Sequence, residues 1–490
     1  MDNENSIGSD NSSVVGQLKK NNVGTLECIA LSVGGIGLST ALFFVYPNIA
    51  SVAGTAVPFT LIIGTICTLS MAYTICTFSK YVSSSASLFL YISEGLGNSM
   101  GFLSVWVLLV GYLTVMVAAI LMFVSTLSDV ITRHTTFHFP WILSAILVVT
   151  VIPTLAYIGI DVVLRTTLIS MALETIVMLV LTIFVVVKGG DQGNYPLAFT
   201  PVGDYAPDIS GIARGLVFCV FIFIGFEGAA NLGRETRNPK KSIPIAVVGA
   251  VLVAAVWLIW ASYAMIVATG PSNIFSMRLD QSPIEQNANR YVSYWFSIVI
   301  DVAGIVSTFN VCSSWFNIVF RILYSIGKTI KENTRNPISK LSNTNKKFKT
   351  PHVAIITLTV FIVLCCFIIA CSTKSIYTTH TWDVYNYLSY ISAIPIILVF
   401  IVTNIALVPY MKKKQPQDYR FFNHLICPCA SGLLFILLLV GNFYPEPPSY
   451  PLPFFLYALA GFIIIGIALM FYLTKFKKQY INNMIFEMSK

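Results

Sequence analysis

The stretch 217-VFCVFIFIGFEGAANLGRETRNPKKSIP-244 opens as a membrane-grade apolar run and ends as a basic loop. Inside the run a carboxylate, Glu227, lies between two glycines, Gly225 and Gly228. Glycine weakens a helix and an ionised side chain is costly in hydrocarbon, so their joint placement asks for one explanation. An unwound turn supplies it. Such a turn exposes peptide groups, which are tolerated at membrane depth only where they line a cavity or are buried in protein.

Around this stretch the 490-residue chain is 56% hydrophobic and only 10% charged, the balance of a polytopic membrane protein. A spanning helix needs about 20 mostly apolar residues. Twelve runs qualify, near 25–49, 57–79, 99–128, 140–157, 162–187, 211–233, 243–269, 293–326, 352–372, 384–409, 422–441 and 452–474, numbered here as spans 1 to 12. Only the turn-like 157-YIGID-161 divides spans 4 and 5. The expected fold is therefore all-α with twelve transmembrane helices. Residues 1–24 are polar and lack an apolar h-region, so they are expected to form a disordered cytoplasmic tail. Residues 475–490 are expected to form a cytoplasmic tail at the other end.

Basic residues orient the spans. Alternate loops beginning with the N-terminal segment hold 22 Lys and Arg, among them Lys80, Arg234, Arg237, Lys240, Lys241 and the runs 412–420 and 475–490. The other loops hold five: Arg133, Lys188, Arg278, Arg290 and Lys374. Both termini are thus expected in the cytoplasm, with the protein in the plasma membrane. Topology and an anionic inner leaflet account for the net charge of +9, and no nucleic-acid partner is implied. Most of the ten cysteines fall inside apolar runs, and the pair in 427-CPC-429 lacks a second pair at zinc spacing, so free thiols are expected.

Interrupted hydrophobic segments at matching positions in two halves point to a transporter's binding site. Span 1 reads 29-IALSVGGIGLSTALFFVYP-47, with Gly34, Gly35 and Gly37 followed by Ser39 and Thr40. Span 6, five helices later, carries Gly225 and Gly228 around its glutamate. An offset of five is odd, so the two halves enter the membrane in opposite directions. The prediction is an inverted repeat of spans 1–5 (25–187) and spans 6–10 (211–409), with spans 11 and 12 (422–474) added. Exposed N–H groups at one break suit a carboxylate and exposed carbonyls at the other suit an ammonium, which together make a socket for a zwitterion.

These residues carry a resemblance. The segment 223-FIGFEGAANLGRETRNPKKSIPIAV-247 resembles the span 6 to span 7 region of the amino acid–polyamine–organocation (APC) transporter superfamily. Supporting matches are 46-YPNIASVAG-54, 84-SSASLFLYISEGLGNSMGFLSVW-106 and 349-KTPHVA-354, so the likeness runs over roughly residues 25–475. It implies a LeuT-type fold, an amino acid permease activity and alternating access. It also implies that substrate carboxylate meets backbone around Gly34, Gly35 and Gly37 with Ser39 and Thr40. The substrate amine would meet carbonyls at Phe221, Phe223 and Ile224 beside Gly225, with Phe221 covering bound substrate. Two departures stand out: GGIGLST replaces the family's G-S-G, and RILYSIGKTIKENTRNP follows span 8 in place of an R-D-G-like ending.

An ionisable group inside a membrane is a functional candidate by default. Glu227, Glu174 in mid-span 5 and Asp301 toward the outer end of span 8 are the candidates for coupling or gating. Ser307, Thr308, Ser313 and Ser314 of span 8 offer hydroxyls for an ion site. Proton symport, sodium symport and exchange all stay open, as do an organic amine such as a polyamine for substrate and a transceptor role. The five histidines are scattered and form no H-E-x-x-H pair, and no P-loop is present, so neither a metalloenzyme nor an ATP-driven pump is indicated. No cofactor or metal is expected beyond a coupling H+ or Na+. The oligomeric state is not legible.

Overall fold

In a computed structural model the chain is described over residues 23–476, other than 83–86, 136, 191, 204, 234, 280–282, 331–336, 346–347, 374–380, 442 and 444–451. The expected tails lie outside the described residues except for Val23, Gly24, Lys475 and Phe476. Arg234 and Lys374, counted for orientation, also lie outside them. All described elements are helical, and the sole extended pairing among them is an isolated bridge between Val23 and Thr236.

Eleven helical runs are long and apolar enough to cross a membrane. The first, Thr25–Ser79, has 55 residues, more than twice one crossing, and is interrupted by a short 3-10 turn at Gly54–Ala56 where expected spans 1 and 2 meet. Gly54 has φ 51 there. Spans 4 and 5, Trp141–Ile158 and Ile160–Lys188, are divided at Gly159, whose φ of 146 a side-chain-bearing residue rarely adopts. Several helices outrun their apolar stretches: span 3 covers Asn98–His134, span 8 Tyr294–Ile330 and span 10 Thr381–Lys414. Hydrocarbon thickness sets where apolarity ends, whereas a helix continues into the interface as long as its backbone bonds do. Span 7 starts at Pro239, a residue suited to a first helical turn because the missing N–H costs nothing there.

Short helices at Ser87–Leu96 and Pro283–Tyr291 join the spans. Spans 1, 3, 6, 7, 8 and 10 hold most of the core: Leu31, Tyr112, Phe223, Leu258, Trp315 and Ile396 are all essentially inaccessible. Spans 9, 11 and 12 expose apolar faces instead, with Phe367, Leu437 and Ile464 each more than half exposed, as expected of surfaces that lipid covers. Buried polar residues knit the interior. Asn404 of span 10, for example, accepts from Thr74 of span 2 and donates to Ser431 of span 11.

Candidate binding site between two broken helices

Both expected breaks form. Span 1 is α-helical over Thr25–Ile36, turns through Gly37 in the left-handed region (φ 68), and resumes at Leu38 with a π-helical stretch, Ala41–Val45, before Tyr46–Ala53. Span 6 is α-helical over Ile209–Phe223, opens at Ile224 and Gly225 (φ 113), and continues as a 3-10 helix, Phe226–Leu232. Asp208 caps its start. Its carboxyl accepts from the Ser210 hydroxyl and the Gly211 N–H, which hold it below the usual carboxylate range.

The breaks meet. A Cβ added to Gly225 would sit 2.8 Å from the carbonyl carbon of Gly35, and one added to Gly35 would sit 3.2 Å from the Gly225 Cα. No side chain fits between these backbones. The remaining glycines do different work. A Cβ at Gly34 would lie 2.5 Å from Ser314 Oγ, and one at Gly37 2.3 Å from Val311. Gly228, paired with Gly225 in the opening motif, does not open the helix; it lies inside the 3-10 turn and makes room for Ile318.

The freed peptide groups are taken up by side chains from far along the chain. Trp315 Nε1–H donates to the Gly35 carbonyl (3.0 Å), and Trp257 Nε1–H donates to the Leu38 carbonyl (3.2 Å). Ser32 bridges the span 6 break, its hydroxyl donating to the Phe226 carbonyl (2.8 Å) and accepting from the Ala229 N–H (2.9 Å). Of these three the sequence marks only Trp315, as a large span aromatic in a position to line the pathway, and Trp315 does line the pocket described below; Trp257 and Ser32 do not stand out. The signal that finds the tryptophans is an indole N–H deep in an apolar span, which must have a partner.

Glu227 is 1% exposed. Its carboxyl accepts from the Gly225 N–H (3.0 Å) and from the Tyr112 hydroxyl of span 3 (2.7 Å). Its niche is thus made of donors and not of the exposed carbonyls that the sequence suggested, because a carboxylate only accepts. The acid closes the break from behind. Glu174 is 4% exposed and accepts from Ser307 Oγ (3.1 Å), which itself accepts from the Thr40 N–H (3.0 Å) and hydroxyl (2.8 Å). Spans 5, 8 and 1 are thereby joined by one directed chain, and Glu174 Oε2 and Ser39 Oγ are left with no partner among the described residues.

Of the other candidates, Ser314 packs on Gly34 beside Thr167. Ser313 faces a separate cavity between spans 3, 4, 5 and 8, of about 430 Å³, which no residue of span 1 or span 6 lines. Thr308 bonds back to its own helix at Gly304 and Ile305. Asp301, 2% exposed, lies near the start of span 8, where Arg133 and His134 donate to it at 2.9 and 2.7 Å. Arg133 also pairs with Glu285. The ligand atoms of His134, Glu285 and Asp301 come within 4.8 Å of one another, a clustering that scattered positions in sequence do not reveal; the Arg133 guanidinium bonds both carboxylates there.

At the meeting of the breaks lies a pocket of about 30 Å³, room for a water or two and too little for an amino acid. Gly35, Ile36 and Thr40 bound it from span 1, and Phe221, Ile222 and Ile224 from span 6. Of the nine residues expected to bind substrate, Gly35, Thr40, Phe221 and Ile224 line the pocket. Gly34, Gly37, Ser39, Phe223 and Gly225 are buried around it and set the backbone path.

Membrane-crossing helices, two of them broken and touching beside a buried pocket, are the arrangement of a membrane transporter. The profile of the amino acid permease family matches residues 23–469. The chain belongs to this family, within the APC superfamily. It is 23% identical to the branched-chain amino acid permease BcaP of Bacillus subtilis over 68% of this chain and 72% of BcaP. It is 24% identical to the serine/threonine exchanger SteT of the same organism over 69% of this chain and 74% of SteT. Similarity to cationic amino acid transporter 4 of Mus musculus is 25% over 47% of this chain and 38% of that protein.

Proposed function

We propose that the protein is a secondary transporter that carries amino acids across the plasma membrane by alternating access, with both termini in the cytoplasm. The observation that carries this reading is the contact of the two breaks, Gly35 on Gly225, beside a buried pocket. With the Thr40 N–H taken by Ser307 and the Ala41 N–H by Gly37, the N–H groups of Leu38 and Ser39 would meet a carboxylate, and carbonyls near Ile224 an ammonium. A polyamine lacks the carboxylate, and the pocket lining offers no acidic side chain to take its place. The names of BcaP and SteT, which state amino acid substrates, support the same class.

Because the pocket is smaller than any substrate, its helices must move to admit one. The 5+5 repeat is the frame for that motion, with spans 1 and 6 turning against the rest. The driving cation in this reading is a proton carried by Glu174, whose Oε2 has no partner among the described residues. The test is counterflow of labelled amino acids in proteoliposomes, with sodium and pH gradients varied separately. Uptake driven by an inward proton gradient and indifferent to sodium is expected. Sodium-driven uptake would replace the proton with sodium, and binding without flux would make the protein a sensor.

A further inference from the structure

The pocket's wall beyond the two breaks carries information that backbone recognition of a zwitterion does not use. Span 3 contributes Val115, Ala118, Ala119 and Met122. Their spacing of three, one and three residues puts all four on a single helix face. Val311 of span 8 also lines the pocket. Among the lining residues only Thr40 and Trp315 have polar side chains, and both are engaged, Thr40 with Ser307 and Trp315 with the Gly35 carbonyl. Glu227 is turned to Tyr112 and Gly225 and does not line the pocket.

We infer that this compartment selects amino acids with neutral, aliphatic side chains of the size of valine, leucine and isoleucine. The inference rests on the transport reading above and specifies its substrate. A lysine, arginine or glutamate side chain entering here would lose its water and find no counter-charge, which apolar walls cannot offset. An aliphatic side chain exchanges water for methyl and methylene contacts at no such cost. Ala118 and Ala119 are the smallest side chains of the span 3 face and Met122 the longest, so substitutions there change the room left for a side chain. Met122 and Ala118 are accordingly specificity-determining residues.

The test uses the full-length protein in proteoliposomes, with labelled leucine in counterflow and a panel of unlabelled amino acids as competitors. Valine, isoleucine and leucine are expected to compete about tenfold or more better than lysine, arginine or glutamate. Met122→Ala should raise competition by phenylalanine relative to valine by about tenfold, and Ala118→Leu should shift it toward alanine and glycine by a similar factor. Thermal stabilisation of purified protein by leucine, absent with lysine, reads binding without transport and covers the case in which a variant inserts poorly. Lysine or glutamate counterflow equal to that of leucine would overturn the inference while leaving amino acid transport intact. Unchanged preference in both folded variants would overturn it as well. Counterflow and stabilisation by no amino acid at all would overturn the transport reading, and the selectivity with it.

Discussion

At the scale of single residues the acids of spans 5 and 6 divide the work. Glu227 caps a helix break through two accepted hydrogen bonds, and leaving a buried donor unsatisfied costs about 1–3 kcal/mol. Glu227→Gln is therefore expected to lower transport by about tenfold or more while the protein still reaches the membrane, and Tyr112→Phe should do so to a lesser degree. Uptake near the unmodified level in both, at equal surface expression, would show that the cap is dispensable. Glu174→Gln should act differently, abolishing accumulation driven by a pH gradient while sparing counterflow, which needs no net proton movement. Loss of both together would make Glu174 a structural residue. Glu227 and Glu174 were visible in the sequence as acids amid apolar residues. Tyr112 and Ser307 were not visible as their partners, since they lie 115 and 133 residues away and nothing local marks the pairing.

At the scale of helices, the position of a break depends on what presses against it. Both glycine clusters announced interrupted spans, and both spans are interrupted. Yet of Gly225 and Gly228 only the first opens, because only it has a left-handed φ and a facing backbone that excludes a side chain. Gly225→Ala should cost about 1–2 kcal/mol in backbone strain alone, add a 2.8 Å clash with Gly35, and abolish transport. At Gly228→Ala the nearest obstacle is the flexible end of Ile318 at 3.1 Å, so transport should be largely kept. Thermal unfolding and uptake measured on the two variants side by side check this; equal damage from both would mean that crowding, and not backbone conformation, governs the position.

At the scale of the whole molecule, contacts on either side of the span 1 break hold that span against distant elements. On one side Phe44 of span 1 packs against Trp382 and Tyr385 of span 10, ring centroids 5.1 and 5.3 Å apart, and Asn48 donates to Asn386. On the other side Val23 is strand-paired with Glu235 and Arg237, so the end of the expected tail is held by two backbone bonds. Beneath them Glu235 accepts from Arg321 at 2.9 and 3.3 Å, both side chains buried. Removing one partner of a buried pair leaves the other unpaired at a cost of about 3–5 kcal/mol. Glu235→Ala should lower the melting temperature, whereas Glu235→Met with Arg321→Leu should recover most of the loss. The single variant should also loosen this face, so that Cys28, buried and 3.4 Å from Thr236 Oγ1, is alkylated several-fold faster by N-ethylmaleimide in site-resolved mass spectrometry. Unchanged labelling at a lowered melting temperature would place the pair's role in stability alone.

By itself the sequence determined what repeats along the chain and what depends on composition. Those features are the helical spans and most of their ends, the two interrupted helices, the acids within them and the family likeness through 223-FIGFEGAANLGRETRNPKKSIPIAV-247. Each is a local property, set by hydrophobic run length or by a residue's own backbone freedom. Only the tertiary structure decided that Gly35 meets Gly225, that Trp315, Trp257 and Ser32 satisfy the opened backbone, and that His134, Glu285 and Asp301 gather around Arg133. It also put Val115, Ala118, Ala119 and Met122 on the wall of the pocket. These are contacts between residues far apart in sequence, and a buried polar group takes whichever partner the packing of distant helices brings within reach.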